Sequence, residues 1–183
     1  MNRLKKVSSK SDIGAAFLAT LVLALPLEGC GTAARSEKMI PASFQTSNTH
    51  PRTVRVNVTG GQDDISLGKP QITNGAFKDA VAYSIIRSRA FSSVLDNPNA
   101  GSDFLLTIDL LGKDTRVVAD TLKLEAVWTL QRGDNSAIVW RETIVSEAPG
   151  GISREATENA ARNNIEQALA KISKLDLRPT ADY

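Results

Sequence analysis

Between Leu122 and Leu130 every second residue is apolar: Leu122, Leu124, Ala126, Trp128 and Leu130 alternate with Lys123, Glu125 and Thr129. A period of two sends successive side chains to opposite faces, so this run predicts a β-strand with one dry face and one wet face. Such a strand needs neighbours of the same polarity and an apolar layer to cover its dry side. The neighbours are present. Val54, Val56 and Val58 alternate with Arg55 and Asn57, and Phe104, Leu106, Ile108 and Leu110 alternate with Leu105, Thr107 and Asp109. The turn Gly133-Asp134-Asn135 leads into a last strand over 137–146. Its apolar positions are Ile138, Trp140 and Ile144, its face is interrupted by Glu142, and Pro149-Gly150-Gly151 ends it.

The covering layer is read from two stretches with helical period. Thr73 or Asn74 can cap a helix running to about Arg89, with Phe77, Val81, Ile85 and Ser88 on one face and Ala80 beside them. Phe91 and Val94 then lead towards a turn at 96–101. Ser153 can cap a second helix over 154–174, with Ala161, Ile165, Ala168, Leu169, Ile172 and Leu175 as its stripe. Arg154, Glu158, Arg162 and Glu166 read as its solvated face, with opposite charges four apart. The order β-α-β-β-β-α predicts an α+β two-layer sandwich over 53–176, a four-stranded sheet with two helices on one face. Residues 30–52 follow neither period and read as a tether that can reach at most about 75 Å. Residues 177–183 read as a loose tail.

The first 29 residues have a different character. A basic stretch, Met1 to Asp12, precedes a thirteen-residue apolar run, Ile13 to Leu25. As a helix that run rises roughly 20 Å, short of the ~30 Å hydrocarbon core of a bilayer. A basic start, a short apolar middle and a small residue before the cut make a secretory signal. The signal ends at Gly29 and Cys30, the only cysteine of the chain. Leu27, Gly29 and Cys30 together resemble the lipobox of bacterial lipoproteins, with Glu28 departing from the pattern. The resemblance implies cleavage between Gly29 and Cys30, a diacylglyceryl group on the Cys30 thiol, and acylation of the new amine. Each buried CH₂ contributes about 0.8 kcal/mol, so two or three chains anchor stably where one does not. Gly31 follows the cysteine. By the same resemblance, the lack of an Asp there implies the outer membrane in a Gram-negative cell. The alternatives are an uncleaved anchor, or ordinary cleavage that leaves a free surface thiol.

Once the leader is set aside, 18 of the chain's 22 basic residues face 18 of its 20 acidic ones. A neutral domain gives no footprint for nucleic acid. The single histidine, His50, falls in the tether, which removes histidine-dependent triads and zinc sites from the domain. Gly60-Gly61 has neither the length nor the Lys-Ser/Thr of a phosphate loop. Asp63-Asp64 offers too few oxygens for a hard cation and reads as solvated. No cofactor or metal is expected. Asp103, Asp109, Glu125 and Glu142 lie on strands or their ends, where a facing pair would serve glycoside hydrolysis. Nothing in the sequence singles out such a pair. Trp128 and Trp140 could form a carbohydrate or peptide platform, but their phase with Leu and Ile reads as core packing.

The lipobox, the tether and the element order resemble a loose group of small envelope lipoproteins. The group takes in the lipopolysaccharide-assembly lipoprotein, the YajG-like lipoproteins and the auxiliary lipoproteins of lipid-transporting ABC systems. The stretches that carry the resemblance are Phe77 to Val94, Leu122 to Trp140 and Ser153 to Leu175. Only Cys30 is carried over as a functional residue. The resemblance implies a non-enzymatic accessory or assembly module of an envelope complex, membrane-bound through its lipid and in contact with an envelope protein. A periplasmic ligand- or lipid-binding lipoprotein is the alternative. A carboxylate-dependent envelope hydrolase ranks behind both.

Overall fold

The alternating runs become strands of one mixed sheet in a computed structural model that describes residues 33–46, 48–61, 71–97, 100–111, 116–118 and 120–177. The leader with Gly29 and Cys30, the pair Asp63-Asp64 and residues 178–183 lie outside the described residues. The elements in chain order are α1 (Ser36–Met39), β1 (His50–Thr59), α2 (Asn74–Ser88), β2 (Phe91–Leu95), β3 (Phe104–Leu110), β4 (Arg116–Val118), β5 (Thr121–Arg132), β6 (Ile138–Pro149) and α3 (Arg154–Ile172). β1 runs parallel to β2 and to β3, β3 runs antiparallel to β5, and β5 runs antiparallel to β4 and β6. β5 therefore runs against all the others. One of its edges is shared end to end by β3 and β4, and β6 takes the other along almost its whole length.

The α+β class stands, and α2 and α3 cover the same sheet face, but the sheet has six strands where four were expected. The two unexpected strands carry weak local signals. β2 has Phe91 buried and Ser92 and Ser93 exposed, and its pairing with β1 makes it a strand despite the lack of alternation. β4 is three residues long, too short for a period to register.

Both long helices start on the side-chain caps expected of them. Thr73 Oγ1 accepts from the Ala76 amide and Ser153 Oγ from the Ala156 amide, each at 3.1 Å. α2 ends on Arg89, a non-glycine residue at φ 59°, while the Ala90 amide donates back to the Ile85 carbonyl. Between sheet and helices, Phe77, Val81 and Ile85 from α2 and Ile165, Leu169 and Ile172 from α3 are wholly buried against Leu106, Ile108, Leu122 and Leu130. Trp128 sits at the centre, edge-on to Phe77 with ring centroids 6.2 Å apart. Its indole Nε1 donates to Asn164 Oδ1 at 2.9 Å, and Asn164 Nδ2 donates to the Ile144 carbonyl at 2.9 Å. One buried amide thus joins α3 to β5 and β6 and gives the buried Trp128 indole N–H its acceptor. Trp128 is core, and Trp140 is half-buried against the same core.

The segment expected to be a tether is packed along its described part. Ala34 and Met39 are buried, Ile40 and Phe44 lie against the core, and α1 rests on both α2 and α3. Arg35 donates to Glu158 Oε1 from its backbone amide and from Nε, both at 3.1 Å, and Arg162 donates to the Lys38 carbonyl. β1 begins at His50 and not at Thr53, with the His50 Nε2 3.0 Å from the Ile172 carbonyl and its ring against Phe91. The apolar residues that make this happen are too irregularly spaced to show a period. Glu158, expected on the solvated face of α3, is 4% exposed because the returning N-terminal segment covers it. At the far end, Leu177 is buried, so the fold extends one residue past the expected 176.

Candidate functional site

The surfaces left over by this architecture are the second face of the sheet, its two edges and a cleft at one end. Register sets the composition of the open face. Its rows run Arg55, Leu105, Gln131 and Ile138; then Asn57, Thr107, Thr129 and Arg141; then Thr59, Asp109, Val127 and Thr143. Beyond β3 the row Glu125–Val145 continues across β5 and β6. No described element covers this face, and its side chains are half-buried or exposed. It is mixed in character, with threonines and valines between separated charges.

β6 borders one edge of the sheet and β2 and the short β4 the other, and no described strand pairs with the outer side of any of them. β6 is the longest, with 12 residues. An unpaired edge is a template for another chain, and β6 carries the usual modifiers. Val139 is extra in the register opposite Leu130 and Gln131, which makes a bulge, and Arg141 and Glu147 put charges along the strand. Ile138 is 55% exposed and Val145 38%. On the helix layer Tyr83 and Ile86 are also exposed, on the outer side of α2.

The cleft, of about 510 Å³, opens where β1 and β3 begin and the β5–β6 hairpin turns. Arg52, Thr53, Ser102, Asp103, Arg132 and Asp134 supply its polar walls. Asp103 accepts from the Thr53 amide and hydroxyl at 2.8 Å each and from Arg52 at 3.3 Å. The Thr53 amide first, against some cost of burial, and then the Thr53 hydroxyl and Arg52, hold its carboxyl below its ordinary value. Through these bonds Asp103 clips β1 to β3. Arg132 lies over the Phe104 ring, 6.0 Å from its centre.

The other candidate carboxylates are dispersed. Asp109 is at the far end of β3, within 3.3 Å of the Thr59 hydroxyl. Glu142 faces the helices, where it pairs with Lys171. Glu125 is on the open face, diagonal to Asp109 across two adjacent strands. That pair shares a face that no described element covers. Gly60-Gly61 is a packing device: a Cβ on Gly60 would meet the Leu110 carbonyl at 2.1 Å, and the Gly61 amide donates to Asn74 Oδ1 at 2.8 Å. Among the described residues no three His, Cys, Asp or Glu groups come together as a metal site would need. No described helix is long and apolar enough to cross a membrane.

What the sequence did not reveal is the clamp of Arg35, Glu158 and Arg162 between α1 and α3, and the status of β6 as an edge. Met39, Ile40 and Phe44 were the available signal for the clamp, as apolar residues in a stretch that otherwise looked like a linker. The edge could not be read, because strand order depends on pairings that periodicity does not encode.

No protein-family model matches the chain, and no curated protein does. Solved structures do. Protein CT253 of Chlamydia trachomatis is 9% identical over 67% of this chain and 96% of that chain, with a TM-score of 0.52. A variant of the PelC dodecamer from Paraburkholderia phytofirmans is 15% identical over 72% of this chain and 95% of that one, with a TM-score of 0.50. Lipoprotein GNA1162 of Neisseria meningitidis is 12% identical over 66% and 99%, but its TM-score of 0.40 is too low to bear on this chain. At such identities the first two likenesses speak for a shared fold and nothing further.

Proposed function

We propose that the chain is a lipoprotein of the bacterial cell envelope, anchored by acyl chains on Cys30, whose domain is a non-enzymatic interaction module for an envelope assembly. The outer membrane, with the domain facing the periplasm, is the proposed site. The observation that carries this is the uncovered sheet face bordered by the long free edge of β6, on a domain whose best-defined acids are used as clips. A module of this kind contributes a surface, and the folded core holds that surface in place.

The partner class that fits first is a protein, and a second copy of the chain is included in it. PelC, similar in fold, forms a dodecamer. That supports self-association as one form of the assembly. Binding of a lipid between sheet and helices is less well supported, since Trp128, Phe77, Ile165 and Leu169 fill that space. Lipopolysaccharide assembly or ABC-linked lipid transport would be the pathways implied by the sequence resemblance.

The test is a cross-linked pull-down from native membranes with wild type and Cys30→Ser in parallel. The expected result is a defined set of envelope proteins, or a ladder of the chain's own multimers, that disappears with the variant. Identical soluble behaviour of both chains would overturn the lipoprotein reading, and an empty pull-down from correctly anchored protein would overturn the interaction reading.

A further inference from the structure

Packing of the N-terminal segment changes what an anchor at Cys30 can do. Ala34 is 4% exposed and its amide donates to the Gln71 carbonyl at 2.8 Å, so the chain is fixed to the domain from that point. Only Gly31, Thr32 and Ala33 separate it from Cys30. Four residue steps reach at most about 14 Å, against about 75 Å for a tether running to residue 52. The headgroup layer, about 5–7 Å thick, takes up close to half of that reach. A domain so held rests on the bilayer surface, and the face that surrounds Ala34 is the one turned towards it.

That face is built where α1 meets the start of α3. It contains a hollow of about 430 Å³ lined by Arg35, Lys38, Arg154 and Arg162, with Glu155 and Glu158. Glu158 is buried and already paired with Arg35 and Arg154. Arg35 and Arg154 are engaged by Glu158 and Arg162 by the Lys38 carbonyl, so the cation this face presents to phosphodiester oxygens is the Lys38 ammonium. Lys38 is exposed on α1, beside Glu37. Ile152, 56% exposed, stands in the loop that leads into the same end of α3. An exposed isoleucine on a surface that also carries an exposed lysine is the combination that settles at the boundary between headgroups and acyl chains. Placement carries more weight here than net charge, because the face also holds Glu37 and Glu155.

We propose that the α1–α3 face docks on phospholipid headgroups, with Lys38 and Ile152 at the contact, so that the open sheet face on the other layer is left free for a protein partner. The proposal rests on lipidation of Cys30. It is tested with the full lipidated chain in phosphatidylethanolamine/phosphatidylglycerol vesicles that carry a nitroxide on a fraction of the headgroups. Lys38→Cys, Ile152→Cys and, on the open face, Thr143→Cys are each labelled with a small fluorophore. Quenching several-fold stronger at 38 and 152 than at 143 is the expected result. Equal quenching at all three, in protein that floats with the vesicles, would overturn the docking face alone. A parent chain that takes the label at Cys30 and stays behind in solution would overturn the anchor, and the docking proposal with it.

Discussion

The two faces of β5 share one backbone and one set of ladder hydrogen bonds, yet they do opposite things. Leu122, Leu124, Ala126, Trp128 and Leu130 are at most 3% exposed beneath the helices. Lys123, Glu125, Val127, Thr129 and Gln131, one residue out of phase, lie on the uncovered side. Stability is concentrated on the first face, where every substitution opens a cavity or strands a polar group. The second face is uncovered, and under the proposed function it is the one left for a partner. On that proposal the difference separates what the domain is from what it meets.

Substitutions can break or sharpen that contrast, and the largest effect is expected at its centre. Trp128→Ala removes the contact with Phe77 and leaves Asn164 Oδ1 without its donor, and should cost about 3–5 kcal/mol in urea unfolding. Met39→Ala should cost about 2–4 kcal/mol by the same measurement, since Met39 is wholly buried. If residues 33–46 were a free tether, that substitution would be silent. Asn164→Ala strands the Trp128 indole N–H and should cost about 1–3 kcal/mol.

Asp103→Asn weakens the clip between β1 and β3 and should cost on the order of 1 kcal/mol at neutral pH. Its pH dependence has a definite sign. The folded carboxyl lies below its ordinary value of 3.8, so folding favours the ionised form. Its contribution is whole above that value and is lost as pH falls through it towards the lower folded value. The gap between wild type and Asp103→Asn should therefore hold down to about pH 5 and shrink below about pH 4. The smallest effect belongs to the open face: Thr129→Ala should stay within about 0.5 kcal/mol of wild type.

The core was largely legible before the structure, because its signals are local. The alternation of Leu122 to Leu130, the stripe Phe77, Val81 and Ile85, and the caps Thr73 and Ser153 each occupy a few consecutive residues, and each appears where its period puts it. The misses are long-range. Met39 and Ala34 find their apolar surroundings on helices far along the chain, and Glu158 is buried by Arg35, 123 positions away. β2 becomes a strand through its pairing with β1, and β6 becomes an edge because nothing described pairs beyond it. No local signal ranks the candidate carboxylates. Asp103 differs from Asp109 only because the fold brings Thr53 and Arg52 to it.

Site-specific photo-cross-linking in cells asks whether the open sheet face is the working surface. A photoreactive side chain is placed in turn at Thr107, Thr129 and Thr143 on the open face, and at Tyr83 and Ile86 on the outer side of α2. The account predicts a discrete cross-linked product, to an envelope protein or to a second copy of the chain, from the open-face positions and not from the two on α2. Products from Tyr83 and Ile86 alone, with the open face silent in correctly anchored protein, would contradict it.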